Sequence, residues 1–436
     1  MSSVSGLAEN LRAFSSEGHF RSASVDELVL EDDFFRRPLR PEDLKFVDFV
    51  CPVTEDRFDA LSSLMSQRIL LSINEAEEGT LAPRGPEKAR WESFHGGEVR
   101  RRGRLLLGEL EAHALGFLAS SEPASLGHQL ADNHLHAERF WRDQKERLHR
   151  SEYEEAGLRY ILAQNVPLGE SVHASACRLP PPIANSFGGR PFSGTTAALK
   201  RRMEGLGLRT GRHSYWQFYL PGSMAAANLL YQLGRSPSTL CDYVGARLVL
   251  ETDRAGVRDA FCHVENGPAA EARDEFCAVA QSLLALLGGG PGSQEAIRVG
   301  AGAARMSHLL AAARAGLSAQ MAWLSDIRWA ERAAWQISER IKREAPDIDR
   351  DTFVEPREMC STTHVHDEHR LVVIEAGRMR FWGNIGMRHD MGPGDMILVP
   401  KGRLHGSTVL SASCTYHQPI IPDDWKEAIP AWAAAS

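Results

Sequence analysis

The spacing of apolar residues changes near residue 346, and this change constrains the fold more than any other feature. From about residue 97 to 345, apolar residues return every three or four positions, which predicts amphipathic helices. After "EAPDIDRD" the period becomes two, in short segments such as "RLVVIEAG", "RMRFWGN" and "DMILVP" that glycine-bearing turns separate. The sequence therefore predicts a helical region followed by a small β-barrel or sandwich.

The length of 436 residues exceeds what one hydrophobic core organises, so we expect several domains. The predicted fold class is multidomain α+β, with a mixed N-terminal and dimerisation region at 1–95, a helical domain at 96–345 and a β domain at 346–436. The helical pattern of the middle domain begins with "EVRRRGRLLLGELEAHALGFLAS". Further predicted helices are 128–149, 152–164, 194–206, 222–233, 238–253, 270–287 and 294–342.

Composition excludes several classes of protein. The net charge of −7 is spread along the chain, which argues against a nucleic-acid-binding surface. The sequence has no uncharged apolar run of membrane-spanning length and no signal peptide, so we expect a soluble cytoplasmic protein with no membrane partner. Seven cysteines without a CxxC pair indicate reduced thiols. We therefore expect chemistry on a small molecule.

Histidines cluster in two segments of the β region. In "STTHVHDEHRLVVIEAG", His364 and His366 are two residues apart, so both face the same side of an extended strand. The segment "GPGDMILVPKGRLHG" supplies a third histidine, His405. With the turn glycine Gly377, the two segments resemble the paired motifs of the cupin superfamily. The usual glutamate of that family is replaced here by Arg370, and the asparagine often found after the last histidine is Val409.

What remains is a predicted three-histidine metal site of His364, His366 and His405. Three imidazoles leave about three positions of an octahedral ion for substrate and dioxygen, and iron(II) is the predicted metal. Zinc, copper and nickel also accept imidazole ligands. Neutral ligands leave the charge of the ion uncompensated, which favours an anionic or chelating substrate. The alternative is a metal-free cupin whose histidines fill the barrel.

Two further side chains are candidate catalytic residues. Arg370 has inward parity and could clamp a substrate carboxylate, or form a salt bridge at the rim of the barrel. Tyr416 could bring its phenol to the metal or to a bound oxygen species, or pack within the barrel. His369 has the opposite parity and is predicted to face outward. Phe381 and Trp382 either shape the pocket or pack against its outer wall.

The helical domain contains candidate ligands of a carboxylate-bridged di-iron site. These candidates are Glu146, Glu170, Glu251 and His263. A helical domain followed by a three-histidine cupin resembles the N-nitrosourea-forming non-heme iron oxygenases of streptozotocin biosynthesis. The resemblance implies a heme-oxygenase-like di-iron domain that hydroxylates the guanidine nitrogens of a methylated L-arginine, and a cupin iron that rearranges the product to an N-nitrosourea. It also implies a homodimer, for which the leucine-rich helix at 104–118 could provide an interface or serve as ordinary core.

The helical domain departs from the pattern of that family. Counted from His263, Gly267 and Ala270 occupy the places of an aspartate and a histidine ligand. The histidine expected about ten residues after Glu170 is also absent, because that stretch reads "LPPP". We therefore predict a scaffold or substrate conduit without a second and third iron. A shifted alignment that used His173, His213 or His308 would restore a site.

The leading functional prediction is a non-heme iron(II), O2-dependent cupin enzyme of natural-product biosynthesis. Its substrate is predicted to be polar and amino-acid-derived, such as a guanidino compound already N-hydroxylated by a separate upstream enzyme, with N–N bond formation as the outcome. One alternative is a cupin dioxygenase that acts on a thiol, diketone or phenolic acid. The other is a non-catalytic cupin that binds a small ligand.

Overall fold

The helical and β regions that the apolar spacing predicts are both present. The computed structural model of the chain describes residues 9, 11–12, 47–77, 97–120, 125–189, 192–210, 215–262, 269–290, 292–357, 360–422, 424–425 and 429. Within these residues, helices precede two four-stranded antiparallel sheets, which confirms a multidomain α+β fold. None of the described helices is long and apolar enough to cross a membrane.

The helical region contains helices α1 to α12 in chain order. They are α1 Leu61–Glu77, α2 Gly97–Leu115, α3 Leu126–His149, α4 Glu154–Ala163, α5 Val166–Ala176, α6 Pro181–Gly188, α7 Phe192–Gly205, α8 Pro221–Leu233, α9 Leu240–Phe261, α10 Ala269–Leu286, α11 Gln294–Leu324 and α12 Ile327–Glu344. Helix α1 comes from the predicted N-terminal region, yet it packs against α2 and α8 as part of the helical layer. In α2, Leu106, Leu107 and Leu110 are buried and Leu105 is exposed, so most of its leucines serve the core.

Two local predictions for this region were wrong. The helix predicted at 294–342 is divided at Ser325 and Asp326, two residue types with low intrinsic helix propensity. The break lets α12 turn away and cover the β region. No helix was predicted between residues 164 and 194, yet this stretch contains α5 and α6; the first-turn prolines of α6 suit a helix start, and its Ile183 and Phe187 are buried.

Glycines bring α9 and α11 into close contact. A Cβ atom added at Gly245 would lie 1.8 Å from the Val299 carbonyl oxygen, and one at Gly302 would lie 1.9 Å from the Asp242 carbonyl oxygen. Each helix thus places a glycine against the backbone of the other. The two helices form the most extensively packed pair in the described part of the helical region.

The β region consists of two sheets with short strands. The strands are β1 Thr352–Pro356, β2 Cys360–His364, β3 Arg370–Ala376, β4 Met379–Trp382, β5 Arg388–Met391, β6 Met396–Val399, β7 His405–Val409 and β8 Ser413–His417. Their orders are β1-β8-β3-β6 and β2-β7-β4-β5. On β3, Val372 and Ile374 join the main core, while Leu371 on the opposite face packs against α12.

Gly377, the glycine of the first cupin-like segment, lies in the turn after β3 and has structural reasons to be glycine. Gly377 has a φ of +85°, a left-handed conformation that side chains other than glycine rarely adopt. A Cβ atom there would also lie 2.2 Å from the Ser413 carbonyl oxygen. Both constraints require glycine at the position where β3 turns into β4.

Candidate metal centre

The three predicted histidines lie together at the junction of β2 and β7. His364 ends β2 and is the register partner of His405, the first residue of β7. His366 lies two residues beyond the end of β2, outside the strand on which it was predicted. The Gly402 N–H donates a 2.9 Å hydrogen bond to the His366 carbonyl oxygen, which ties this loop to the segment that precedes His405.

The imidazole rings converge on a common space. The ring centroids are 4.5 Å apart for His364 and His405, and 4.9 Å apart for both His364–His366 and His366–His405. One ring nitrogen from each residue lies within 4.8 Å of the other two. Within the described ranges, this is the one group of three or more side chains of metal-binding type that meets this distance.

The protonation of the rings suits a cation. His405 Nδ1 lies 2.9 Å from the Arg403 carbonyl oxygen, which can only accept, so Nδ1 carries the proton and Nε2 keeps its lone pair. His366 Nε2 is buried and has no hydrogen-bond partner among the described residues. Burial, followed by His364 and Arg370, lowers the pKa of His366 to about 3. Burial, followed by His364 and His366, also lowers the pKa of His405 well below its usual value. Neutral imidazoles with available lone pairs fit a divalent metal ion.

Aromatic rings hold His405 in place. Phe381 of β4 stacks on the imidazole with centroids 5.2 Å apart and planes 14° apart. Trp323 of α11 meets both rings edge-on, with centroids 6.0 Å from Phe381 and 6.4 Å from His405. Phe381 therefore lines the site, whereas Trp382 lies over the backbone of Gly406. The sequence had left both possibilities open for these two aromatic residues.

Two residues of the helical region contact the strands that carry the ligands. The Gln320 side chain forms hydrogen bonds with the Leu404 backbone, next to His405. The Arg68 guanidinium does the same at Thr363, next to His364. Sequence reasoning missed both residues, because they lie 84 and 295 positions from their partners and belong to no local motif.

Arg370 has the predicted inward parity but forms ion pairs in this structure. It shares its face of β3 with the core residues Val372 and Ile374. Its guanidinium contacts the Asp351 carboxylate, lies 3.6 Å from Glu368 and donates to the Gln418 carbonyl oxygen at 3.2 Å. The salt-bridge alternative is therefore present, and the role of Arg370 as a substrate clamp stays a prediction.

Tyr416 is buried and directs its hydroxyl to a carboxylate. Its Oη donates a 2.9 Å hydrogen bond to Glu355 Oε1, and its ring stacks on Phe353 with centroids 5.3 Å apart. Burial and then Glu355 raise the pKa of Tyr416, so its phenol keeps its proton near neutral pH. A contact of Tyr416 with metal or oxygen stays a prediction. His369 lies outside the cluster, and its Nδ1 accepts the Lys401 backbone N–H at 3.2 Å.

The candidate ligands of the helical region are dispersed or paired with arginine. Glu251 is 1% exposed, and its carboxylate lies 3.1 Å from Arg254 and 3.5 Å from Arg247. Glu146 is exposed beside Arg150, Glu170 is half-buried on α5, His173 is exposed and His308 faces Glu55 at 3.7 Å. His263, Gly267 and His213 lie outside the described residues. Arginine side chains thus neutralise the buried carboxylate of Glu251, the charge that a metal ion would otherwise compensate.

Comparison with known proteins identifies the class of the β region. Residues 352–413 match the cupin domain family, which confirms the cupin resemblance. The whole chain is also 24% identical over 448 aligned residues to the nitrosourea synthase of Streptomyces achromogenes subsp. streptozoticus. This alignment covers 90% of the chain and 91% of the relative. The chain thus has a C-terminal cupin domain and is similar to an enzyme along most of its length, through the helical region as well as the cupin.

Proposed function

We propose that the protein is a non-heme iron(II), O2-dependent oxidoreductase of the cupin type. The observation that carries the proposal is the convergence of His364, His366 and His405, with nitrogens within 4.8 Å of one another. Enzymes that bind dioxygen on non-heme iron need a small set of protein ligands and open positions, and three imidazoles meet that need. Iron(II) held by the three histidines would supply activation of dioxygen.

The residues around the histidines would prepare the pocket for this chemistry. Phe381 and Trp323 cover one side of His405 with apolar surface and exclude water from it. Arg370 provides a cation whose planar guanidinium can orient a substrate carboxylate. Tyr416 keeps its proton near neutral pH, and its hydroxyl could donate to a substrate in exchange for its hydrogen bond to Glu355.

For the substrate, we propose a polar amino-acid-derived compound. Three neutral ligands leave the full charge of the ion in the site, so an anionic or chelating molecule is favoured. The similarity to a nitrosourea synthase favours N–N bond formation. The family resemblance seen in the sequence implies an N-hydroxylated guanidino acid as the substrate. The arginines around Glu251 favour a helical region without irons of its own, so N-hydroxylation would fall to a separate upstream enzyme. A homodimer is also proposed, because the family resemblance seen in the sequence implies one.

Anaerobic iron(II) loading followed by oxygen exposure tests the proposal. We expect about one iron per chain, and His405→Ala should abolish binding because it removes one of three ligands. His369→Ala is the matched control, since this histidine belongs to the same segment but lies outside the cluster. Substrate-dependent oxygen uptake with N-hydroxylated guanidino acids, followed by mass spectrometry of products, tests the reaction.

Each outcome has a distinct meaning. Iron retained by His405→Ala would contradict the proposed site. About three irons per chain would show a second metal site in the helical region. Metal binding without oxygen uptake on any guanidino acid, thiol, diketone or phenolic acid would favour a cupin that only binds its ligand.

A further inference from the structure

A glutamine of the helical region holds the peptide group that leads into His405. Gln320 lies on α11 and is completely buried. Its Nε2 donates to the carbonyl oxygens of Leu404 at 2.8 Å and Gly383 at 3.3 Å, and its Oε1 accepts the Leu404 N–H at 2.9 Å. The side chain thus forms hydrogen bonds with both backbone groups of the residue that precedes a metal ligand.

An arginine holds the peptide group that leads into His364 in the same way. Arg68 lies on α1 and is 3% exposed. Its Nη1 donates to the Thr363 carbonyl oxygen at 2.6 Å, and its Nη2 donates to Thr363 Oγ1 at 3.0 Å and to the Gln217 carbonyl oxygen at 2.9 Å. The Thr363 hydroxyl in turn donates to the same Gln217 carbonyl oxygen, which closes a buried network.

These contacts bear directly on ligand geometry. The carbonyl groups of Leu404 and Thr363 belong to the planar peptide units that also contain the backbone nitrogens of His405 and His364. A hydrogen bond that fixes the orientation of such a unit restricts the direction in which the next side chain leaves the backbone. Buried hydrogen bonds of this kind, some of them charge-assisted, resist rotation because an unmade bond there leaves polar groups unsatisfied.

We propose that Gln320 and Arg68 are positioning residues for the metal centre, through which the helical region sets the geometry of two ligands. The inference rests on the proposed metal site and adds a role for the helical region that does not require a metal in that region. Partners outside the ligand set commonly tune metal affinity by orienting the ligands. Here the partners act on the backbone, and they come from helices far away in the sequence.

The test measures metal binding in the full chain with cobalt(II) as the probe. Gln320→Met keeps the length and bulk of the side chain but removes all three hydrogen bonds. Gln129→Met is the matched control, because Gln129 is a buried glutamine of α3 whose Nε2 donates to the Gly300 carbonyl oxygen at 3.2 Å, away from the ligands. The readouts are the cobalt dissociation constant and the visible absorption of the bound ion, which reports coordination geometry.

A second pair of variants tests the same role at His364. Arg68→Lys keeps the charge but cannot contact Thr363 and Gln217 with a planar fork. Its control is Arg314→Lys, at a buried arginine that contacts Asp253 and Asn133 within the helical region. This pair also carries the test should Gln320→Met fail to fold.

We expect Gln320→Met and Arg68→Lys each to weaken cobalt binding by about 10- to 100-fold and to change the absorption spectrum of the bound ion. The two control variants should match the wild type in both readouts. Unchanged affinity and spectrum in the two test variants would overturn the inference and leave the proposed function standing. Equal losses in test and control variants would also overturn it, since general destabilisation would then explain them. A wild-type chain that binds no divalent metal would overturn the proposed function, and the inference with it.

Discussion

At the scale of single residues, the imidazole of His405 is held from several directions. The Arg403 carbonyl oxygen accepts its Nδ1 proton, Phe381 stacks on one face and Trp323 meets its edge. These contacts select one tautomer and one ring orientation before any ion binds. The ligand is therefore preorganised, and metal binding does not have to order it.

Arg370 and Asp351 provide a test of substrate anchoring at this scale. Because a charge-assisted hydrogen bond contributes about 1.5–3 kcal/mol, Arg370→Met should raise the KM of a carboxylate substrate by about tenfold or more and change kcat less. Asp351→Asn removes the nearer of the two carboxylates that pair with Arg370 and leaves Glu368 in place, and asparagine tolerates the left-handed φ of +46° found at this position. Steady-state oxygen uptake measures both variants.

Asp351→Asn should leave the KM unchanged or lower it, because one fewer carboxylate then competes with the substrate for the guanidinium. Equal increases in KM for both variants would instead indicate that the ion pair stabilises the structure at this end of the barrel and that Arg370 does not bind the substrate. Thermal unfolding of both variants provides the control for folding.

At the scale of elements, the contact between α9 and α11 positions the helix that carries Gln320 and Trp323. The first half of α11 packs on α9 through Gly245 and Gly302, and its last turns carry Gln320 and Trp323 to the cupin. If a larger residue at the glycines separated the two helices, Gln320 and Trp323 at the other end of α11 would therefore be displaced. The helix is 31 residues long, so it extends about 47 Å at 1.5 Å per residue.

Gly245→Ala tests this packing. The added methyl group would overlap the Val299 backbone, so we expect the free energy of unfolding to fall by about 1–3 kcal/mol. Gly108→Ala is the control, because a Cβ atom on this exposed α2 glycine has nothing within 4 Å. Alanine there should leave stability unchanged or raise it by up to about 1 kcal/mol. Urea unfolding measures both variants, and equal stability would contradict the close helix contact.

At the scale of the whole molecule, one hydrophobic core joins the helices to the barrel. The same cluster of buried side chains contains Leu64, Leu310 and Trp323 from helices and Val372 and Phe381 from the two sheets. Helix α12 adds a smaller cluster on the outer face of β3 and β6. Shared burial of this extent favours unfolding of the helical region and the cupin as one unit.

Metal binding should therefore stabilise the helices as well as the barrel. At a free metal concentration of about 100 Kd, binding to the folded state alone adds about 2.7 kcal/mol to the free energy of unfolding. Circular dichroism at 222 nm, which follows the helices, should then show a single transition that moves to higher temperature. A helical transition whose midpoint temperature is unchanged by metal, beside a separate transition of the barrel that moves upward, would contradict a shared core.

Local patterns predicted a large part of the fold and of the candidate site. Helices give way to strands near residue 346, as the change of apolar period predicted, and His364, His366 and His405 lie together, as their spacing predicted. What local patterns could not predict depends on distant partners. The break at Ser325 allows α12 to pack against the barrel, whose position the local sequence does not indicate. The role of Gln320 depends on its hydrogen bonds with Leu404, which is distant in the sequence.

The contacts of Arg68 and Gln320 have a consequence for recombination between related proteins. A crossover placed at the end of α12 would transplant the barrel intact but leave behind the two side chains that fix Thr363 and Leu404. A functional chimera would need to inherit α1 and α11 with the strands they support. The residues that build this candidate metal centre are therefore not contiguous in the sequence, and they extend well beyond the segment that carries the histidine motif.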